Sequence, residues 1–142
     1  SPDGTTWTSR TTGLVGQRLN SITYGNNIFV SVGGGGVIIY SSDAITWYSR
    51  DRGPASLYGS YYENNTYISV GLSGSIITSS DGIDWDSKSS GTSYRLNSIT
   101  YSNDIFVTVG SNGVILTSSD GTSWTSRTSG TTKTLNGITS SK

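Results

Sequence analysis

The 142-residue chain contains no cysteine, no histidine and no methionine. Without thiols and imidazoles it cannot form disulfide bonds, metal sites built on Cys or His, Cys or Ser–His nucleophile pairs, or a histidine acid–base catalyst. The sequence therefore predicts no metal ion and no cofactor.

The chain also has no excess of charge of either sign and no long apolar run. Nine basic and nine acidic residues cancel, so the chain has no electrostatic attraction for nucleic acid or an anionic membrane. No apolar run approaches 18 residues and no signal peptide is visible, so we expect no membrane insertion. Because the sequence lacks an initiator methionine and starts inside a repeat, we expect it to be part of a longer chain or of a homo-oligomer.

The chain is instead rich in glycine, serine and threonine, and it repeats itself. A phrase of the form Ser-Asp-Gly-x-x-Trp recurs, and its tryptophans are 40, 38 and 39 residues apart. The repeated aspartates and tryptophans are Asp3, Trp7, Asp43, Trp47, Asp81, Trp85, Asp120 and Trp124. A period near 40 residues is typical of propeller blades and other repeat architectures.

Each repeat contains four short segments with the alternating, β-branched and aromatic pattern of strands, separated by turn residues. We therefore predict an all-β fold, a β-propeller of four-stranded antiparallel blades. Residues 1–142 form one repeat domain with three full blades and two partial ones. The blades span residues 19–50, 57–88 and 96–127, while residues 1–10 end a blade and residues 135–142 begin one.

The repeated phrase predicts specific structural roles. Asp-Gly is a strong signal for a type I′ hairpin turn, from which Asp43-Ala44 departs. Each tryptophan is expected to be buried between neighbouring blades. A cation follows each outer strand, and it either extends over the solvated rim or binds acidic sugars; these cations are Arg10, Arg50, Lys88 and Arg127.

These phrases, together with strands such as Leu96-Asn97-Ser98-Ile99-Thr100-Tyr101 and Ile105-Phe106-Val107-Thr108-Val109-Gly110, carry a family resemblance. The chain resembles the Asp-box, or bacterial neuraminidase repeat, propellers of the sialidase-like group. It has one residue fewer between Asp and Trp than the usual box, as in a divergent relative. The resemblance implies propeller architecture. It does not indicate one function, because this family includes enzymes, lectins, assembly factors and surface proteins.

We expect a non-catalytic binding or structural module that recognises a glycan or a protein partner. Its predicted binding surface is formed by the loops between blades, at residues 11–18, 51–57, 89–95 and 128–134, and by the glycine turns. The side chains there that can stack on or hydrogen-bond a sugar are Tyr58, Tyr94, Arg18, Arg52 and Arg95. A purely structural role in packing these loops remains an equal alternative. We expect an extracellular location or a place on a cell or virion surface.

Two other functions stay open. The chain could be a scaffold that is completed by oligomerisation, because exposed strand edges template pairing with another chain. It could also be part of a sialidase-like glycoside hydrolase. The resemblance implies that such an enzyme uses an arginine triad, a Tyr–Glu pair and an Asp. The sequence contains a single glutamate, Glu63, and offers no such set, so we predict that the chain is not an enzyme.

Overall fold

The structure is a computed structural model that describes residue 1 and residues 3–50, 53 and 55–140. In this part of the chain the secondary structure consists of twelve β-strands and three short 3-10 turns. The strands form three four-stranded antiparallel sheets, each connected as a meander. The all-β class and the four-stranded antiparallel units predicted from the repeat are confirmed.

The three sheets follow one another along the chain. The first sheet contains β1 (Leu19–Gly25), β2 (Ile28–Gly33), β3 (Ile38–Ser41) and β4 (Tyr48–Ser49). The second contains β5 (Leu57–Glu63), β6 (Thr66–Gly71), β7 (Ile76–Ser79) and β8 (Asp86–Lys88). The third contains β9 (Leu96–Ser102), β10 (Ile105–Gly110), β11 (Ile115–Ser118) and β12 (Thr125–Arg127). A 3-10 turn joins the second and third strands of each sheet, at Gly34–Gly36, Leu72–Gly74 and Ser111–Gly113.

Two-residue loops join the first and second strands of each sheet. In the first sheet Asn26 and Asn27 have φ values of 42° and 61°, which is the backbone conformation of a type I′ turn. Asparagine adopts positive φ more readily than most side chains do. The same conformation is found at Asn64 and Asn65 and at Asn103 and Asp104. This turn type fixes the register, in which Tyr24 pairs with Phe29.

An aspartate organises the loop between the third and fourth strands. In the third sheet Asp120 Oδ1 accepts hydrogen bonds from the backbone N–H groups of Thr122 at 2.7 Å and Ser123 at 2.8 Å. The Ser118 hydroxyl donates to the same oxygen at 2.9 Å. The same hydrogen bonds to the carboxylate are made at Asp3, Asp43 and Asp81.

The prediction of type I′ turns at the Asp-Gly pairs is therefore wrong. Gly82 and Gly121 have positive φ, at 75° and 71°, but the aspartates before them do not. The side-chain carboxylate, rather than a backbone hairpin bond, closes these loops. The loop is consequently long enough to place the tryptophan at its end, where Trp124 Nε1 donates to the Gly121 carbonyl at 3.2 Å.

The sheets stack face against face, and the core lies between them. One cluster joins the first and second sheets through Val30, Val32, Ile38, Leu57, Tyr67 and Ile77. The other joins the second and third sheets through Ile68, Val70, Ile76, Leu96, Ile99, Phe106 and Leu116. Because side chains alternate between the two faces of a strand, β6 supplies Tyr67 to one cluster and Ile68 to the other. Trp85 and Trp124 are half-buried against these clusters.

The first strands of neighbouring sheets lie side by side. Asn20 Nδ2 on β1 donates to the Leu57 carbonyl at 2.7 Å, and the Ser60 backbone N–H donates to the Ser21 hydroxyl at 3.1 Å. At the repeat position of Asn20, the second sheet has Tyr58. The sheets are thus connected at one edge by polar contacts in addition to the apolar faces.

Within the described residues, no sheet packs on the outward face of the first sheet. Leu19 and Ile22 are 41% and 59% exposed, whereas Leu96 and Ile99, which have the same repeat positions in the third sheet, are 0% and 6% exposed. Trp7, which precedes the first sheet, is 78% exposed, contrary to the expectation that every tryptophan would be buried between blades. The three sheets do not close into a ring.

The glycine of the aspartate loop lets neighbouring sheets approach. A Cβ at Gly121 would lie 2.6 Å from Ile68 Cδ1, and one at Gly82 would lie 2.8 Å from Val30 Cγ2. The first sheet has Ala44 at this position with φ 56°. A methyl group fits there because no sheet precedes it within the described residues.

We expect Gly121→Ala to lower the free energy of unfolding by about 2–4 kcal/mol, because it combines left-handed strain with overpacking against Ile68. Ala44→Gly is the matched control and should change it by no more than about 1 kcal/mol. Urea denaturation followed by tryptophan fluorescence measures both values. Equal effects of the two substitutions would contradict the close approach of the loop to the preceding sheet.

The aspartate loops also predict an acid limit to stability. Hydrogen bonds from the N–H groups of Ser123 and Thr122 lower the pKa of Asp120 to about 2, and those of Thr46 and Ile45 lower the pKa of Asp43 to about 2. The pKa values of Asp3 and Asp81 are lowered by the same kind of contact. A carboxylate with a lowered folded-state pKa stabilises the fold above its unfolded value of 3.8, and this contribution is lost as the pH falls toward 2.

We therefore expect the thermal unfolding midpoint to change little from about pH 7 to 5 and to fall between about pH 4 and 2. Asp120→Asn should make this acid-induced fall shallower, because the amide does not titrate. Circular dichroism melts across the pH range provide the measurement. A fall of the same steepness in the variant would show that the Asp120 carboxylate does not contribute.

Candidate functional site

The structure brings two of the predicted binding residues together. Tyr58 is the second residue of β5, and Arg95 directly precedes β9. The Arg95 guanidinium carbon lies 5.2 Å from the centre of the Tyr58 ring, a cation–π distance. Tyr58 occupies the repeat position of Asn20, which in the first sheet bonds to the following sheet. The Tyr58–Arg95 pair therefore connects the second sheet to the third.

The other predicted binding residues lie apart from that pair. Arg18 is exposed before β1, and its carbonyl accepts a hydrogen bond from the Gly34 N–H at 2.8 Å. Tyr94 is 47% exposed, and its backbone N–H donates to the Thr92 hydroxyl at 3.2 Å. Arg52 lies outside the described residues. The binding role proposed for all five from the sequence stays a prediction.

A groove of about 610 Å³ opens on the same loop face, beside the second sheet. One wall is the 3-10 turn Leu72–Gly74 with Ser75, and the other is the segment from Ser87 to Ser93. We call this space the second-sheet groove. A similar groove of about 590 Å³ lies between the corresponding segments of the third sheet, Asn112–Val114 and Ser126–Thr132.

Short hydrogen-bonded turns hold the walls of the second-sheet groove. The Ser90 hydroxyl accepts from the Thr92 N–H at 3.3 Å and donates to the Thr92 carbonyl at 3.2 Å. A Cβ at Gly74 would collide with that carbonyl, so the absence of a side chain lets the turn and the loop meet. The groove is preformed by backbone contacts and does not depend on a ligand to shape it.

One of the residues that line the second-sheet groove has a hydroxyl without a hydrogen-bond partner. Ser75 lines the groove, and its Oγ is buried and makes no hydrogen bond. The first and third sheets have Val37 and Val114 at this repeat position. A buried hydroxyl without a partner costs roughly 1–3 kcal/mol relative to a paired one, so Ser75 departs from the repeat at a cost to the fold.

A cation lies at the same groove. Lys88 ends β8 and lines the groove. Its ammonium is 3.8 Å from the Asp86 carboxylate, beyond hydrogen-bond distance. In the groove of the third sheet the corresponding residue is Arg127, whose Nε donates to the Thr117 hydroxyl at 2.9 Å. Lys88 also lines a smaller groove together with Asp86, and its ammonium makes no hydrogen bond among the described residues.

The sequence did not predict this groove, because tyrosine and arginine, the side chains expected to bind a sugar, are absent from its lining. The groove is lined mainly by serine and threonine hydroxyls, which are too common in this chain to stand out. The signal present in the sequence was Ser75 itself, which replaces the valine found at this repeat position in the other two sheets.

The described residues offer little for metal or acid–base chemistry. They contain no group of three or more Asp, Glu, Cys or His side chains placed to hold a metal ion. A smaller groove of about 350 Å³ is lined by Lys88 and by four aspartates, Asp81, Asp84, Asp86 and Asp120. The carboxylates of Asp81 and Asp120 already accept hydrogen bonds within their own loops. Glu63 ends β5, where it pairs with Thr66 in the ladder. None of the described helices has the length and apolar character needed to cross a bilayer.

Comparison with known proteins supports the fold at a coarse level. No family model matches the chain, and no curated protein matches it. Among solved structures, the computationally designed Ika8 protein matches 87% of this chain and 40% of its own, with a TM-score of 0.70 and 16% identity. YCF48 from Cyanidioschyzon merolae matches 78% of this chain and 37% of its own, with a TM-score of 0.63 and 20% identity.

A third similar structure is a glycoside hydrolase of family GH32, the Bombyx mori β-fructofuranosidase BmSUC1. It matches 76% of this chain and 33% of its own, with a TM-score of 0.51 and 15% identity. The chain spans about two fifths or less of each of these proteins. At these identities the likeness concerns the fold alone, and it supports a propeller-like all-β architecture for the chain.

Proposed function

We propose that the chain is a non-catalytic, propeller-type binding module that recognises a glycan in the second-sheet groove. The observation that carries this proposal is the buried, unpaired hydroxyl of Ser75 in a preformed groove beside Lys88. A buried hydroxyl that costs stability and makes no hydrogen bond within the fold is explained if the Ser75 side chain rotates to bond a ligand in the groove.

The chemistry of the groove suits a sugar. Serine and threonine hydroxyls both donate and accept hydrogen bonds, as sugar hydroxyls do. Leu72 is 43% exposed at the rim and offers an apolar surface to the C–H face of a sugar ring. Lys88 adds a positive charge, so we expect a sugar that bears a carboxylate to bind better than its neutral counterpart.

The resemblance to the Asp-box propellers and the composition support a recognition role rather than catalysis. The one glutamate of the chain is held in a strand ladder, and two of the four aspartates of the smaller groove are engaged by backbone amides. Recognition of glycans is also in keeping with the extracellular or surface location that we propose. The loops that carry Tyr94 and Arg18 extend this face, where they are available for further contacts to the same glycan.

Ser75→Val tests the site directly. Because valine occupies this position in the other two sheets, we expect the variant to fold and to gain roughly 1 kcal/mol of stability. We expect its affinity for an acidic glycan to fall about tenfold or more, since a paired hydroxyl is lost from the complex. A glycan array followed by calorimetry on the best glycan gives the affinity, and Val114→Ser, in the third-sheet groove, is the matched control. Unchanged glycan affinity in Ser75→Val would refute the site. Binding of a protein by the chain, with no glycan bound on the array, would show that the ligand is a protein instead.

Tyr58→Asn distinguishes a structural role of the Tyr58–Arg95 pair from a binding role. Asparagine at the equivalent position in the first sheet bonds the Leu57 carbonyl of the next sheet. If the pair is structural, Tyr58→Asn should keep the stability within about 0.5 kcal/mol, while Tyr58→Ala should lose about 1 kcal/mol. Both should bind the glycan as the unmodified chain does. Loss of glycan binding in the stable Tyr58→Asn variant would instead assign Tyr58 to the ligand site.

A further inference from the structure

The two outermost sheet faces of the chain complement each other. The first sheet presents outward the residues that the second and third sheets use to pack against the sheet before them. These are Leu19, Ile22, Tyr24, Phe29 and Trp47, corresponding to buried or half-buried Leu57, Ser60, Tyr62, Tyr67 and Trp85 in the second sheet. Leu19, Ile22 and Tyr24 are 41%, 59% and 53% exposed.

The third sheet presents the opposite half of the same interface. The first sheet contacts the second through Val30, Val32 and Ile38. At the same repeat positions the third sheet has Val107, Val109 and Ile115, in identical strand registers. Ile105, beside them at the start of β10, is 41% exposed, whereas its counterpart Ile28 packs against the second sheet.

Residues 135–140 mark where a further sheet would begin. Asn97 Nδ2 donates to the Leu135 carbonyl at 2.8 Å, and the Ile138 N–H donates to the Ser98 hydroxyl at 3.3 Å. These contacts repeat those that Asn20 and Ser21 make to the second sheet. The segment Leu135-Asn136-Gly137-Ile138-Thr139 matches Leu19-Asn20-Ser21-Ile22-Thr23 at four of five positions, so β1 of another copy can make the same contacts.

We propose that two copies of this chain associate head to tail, with the outward face of the first sheet of each copy packed on the third sheet of the other. β1 of the partner displaces residues 135–140, because it makes the same polar contacts and brings three further strands that cover Ile105 and Val107. The two identical junctions join six sheets, and a closed ring of four to eight such sheets leaves no exposed sheet face.

One position works against close docking. Ala44 would meet Val107 of the other copy where Gly82 meets Val30 and Gly121 meets Ile68. Its methyl group must be accommodated by a rotation of the Val107 side chain. The proposal therefore requires that Ala44→Gly strengthen the association.

The test measures mass by light scattering and native mass spectrometry between about 1 and 100 µM, a range that brackets micromolar association. The chain should form a discrete species of twice its 15.0 kDa mass. Ile22→Arg should weaken the dimer about 100-fold or more, because each copy then carries a charge into an apolar junction. Val15→Arg, at a 91% exposed site in the linker before β1, is the control that should leave the dimer intact. Circular dichroism confirms that each variant is folded.

Complementation identifies the geometry. Ile22→Arg and Ile105→Arg should each be monomeric alone, whereas their mixture should recover a dimer through the one junction that carries neither charge. A self-complementary junction between two first sheets would not be rescued by mixing. A monomeric unmodified chain at 100 µM, open-ended oligomers, a dimer that survives Ile22→Arg, or a dimer weakened by Ala44→Gly would each overturn the proposal.

Discussion

The constraint on which the structure depends is that each sheet has two apolar faces, and both must be shielded from water. A meander of four short strands has apolar side chains above and below it, and no helix is available in the described chain to cover either face. Only another sheet of the same kind presents a surface of matching width and twist. Stacking therefore continues until the array closes or its last faces are covered. The repeat, the central position of the second sheet and the exposed faces of the outer sheets all follow from this requirement.

The aspartate loops set how closely the sheets can stack. Each carboxylate replaces a set of backbone bonds, so the loop can be long and still rigid. Its glycine then fits against the preceding sheet, where a methyl group would collide with Ile68. The tryptophan at the end of the loop closes the outer edge of the same junction. The most recognisable motif of the sequence is thus part of the contact between sheets, rather than a site for a ligand.

Periodicity in the sequence was sufficient to predict the strands, their number in each sheet and their antiparallel order. These features depend on local patterning and turn residues, which can be read from a single sequence. The turn type at Asp-Gly could not be derived, because the dipeptide has the same signal in a backbone hairpin and in a carboxylate-closed loop. The exposure of Trp7 could not be derived either, since it depends on a neighbouring sheet rather than on the repeat to which Trp7 belongs. The groove at Ser75 escaped detection because a single serine in a serine-rich chain gains meaning only when its burial is known.

The positions that break the repeat also make the junctions between sheets different from one another. Gly25 is a case, because the Tyr62 ring fills the space of its missing side chain and the Tyr67 hydroxyl donates to its carbonyl. The second and third sheets have Glu63 and Ser102 in the place of Gly25, so the close packing of a tyrosine ring on this backbone position is particular to the junction between the first and second sheets. Nearly identical units risk pairing in the wrong order during folding. Glycine at this one position makes the junction between the first and second sheets energetically distinct from the junction between the second and third, so departures from the repeat help to set the order of the sheets.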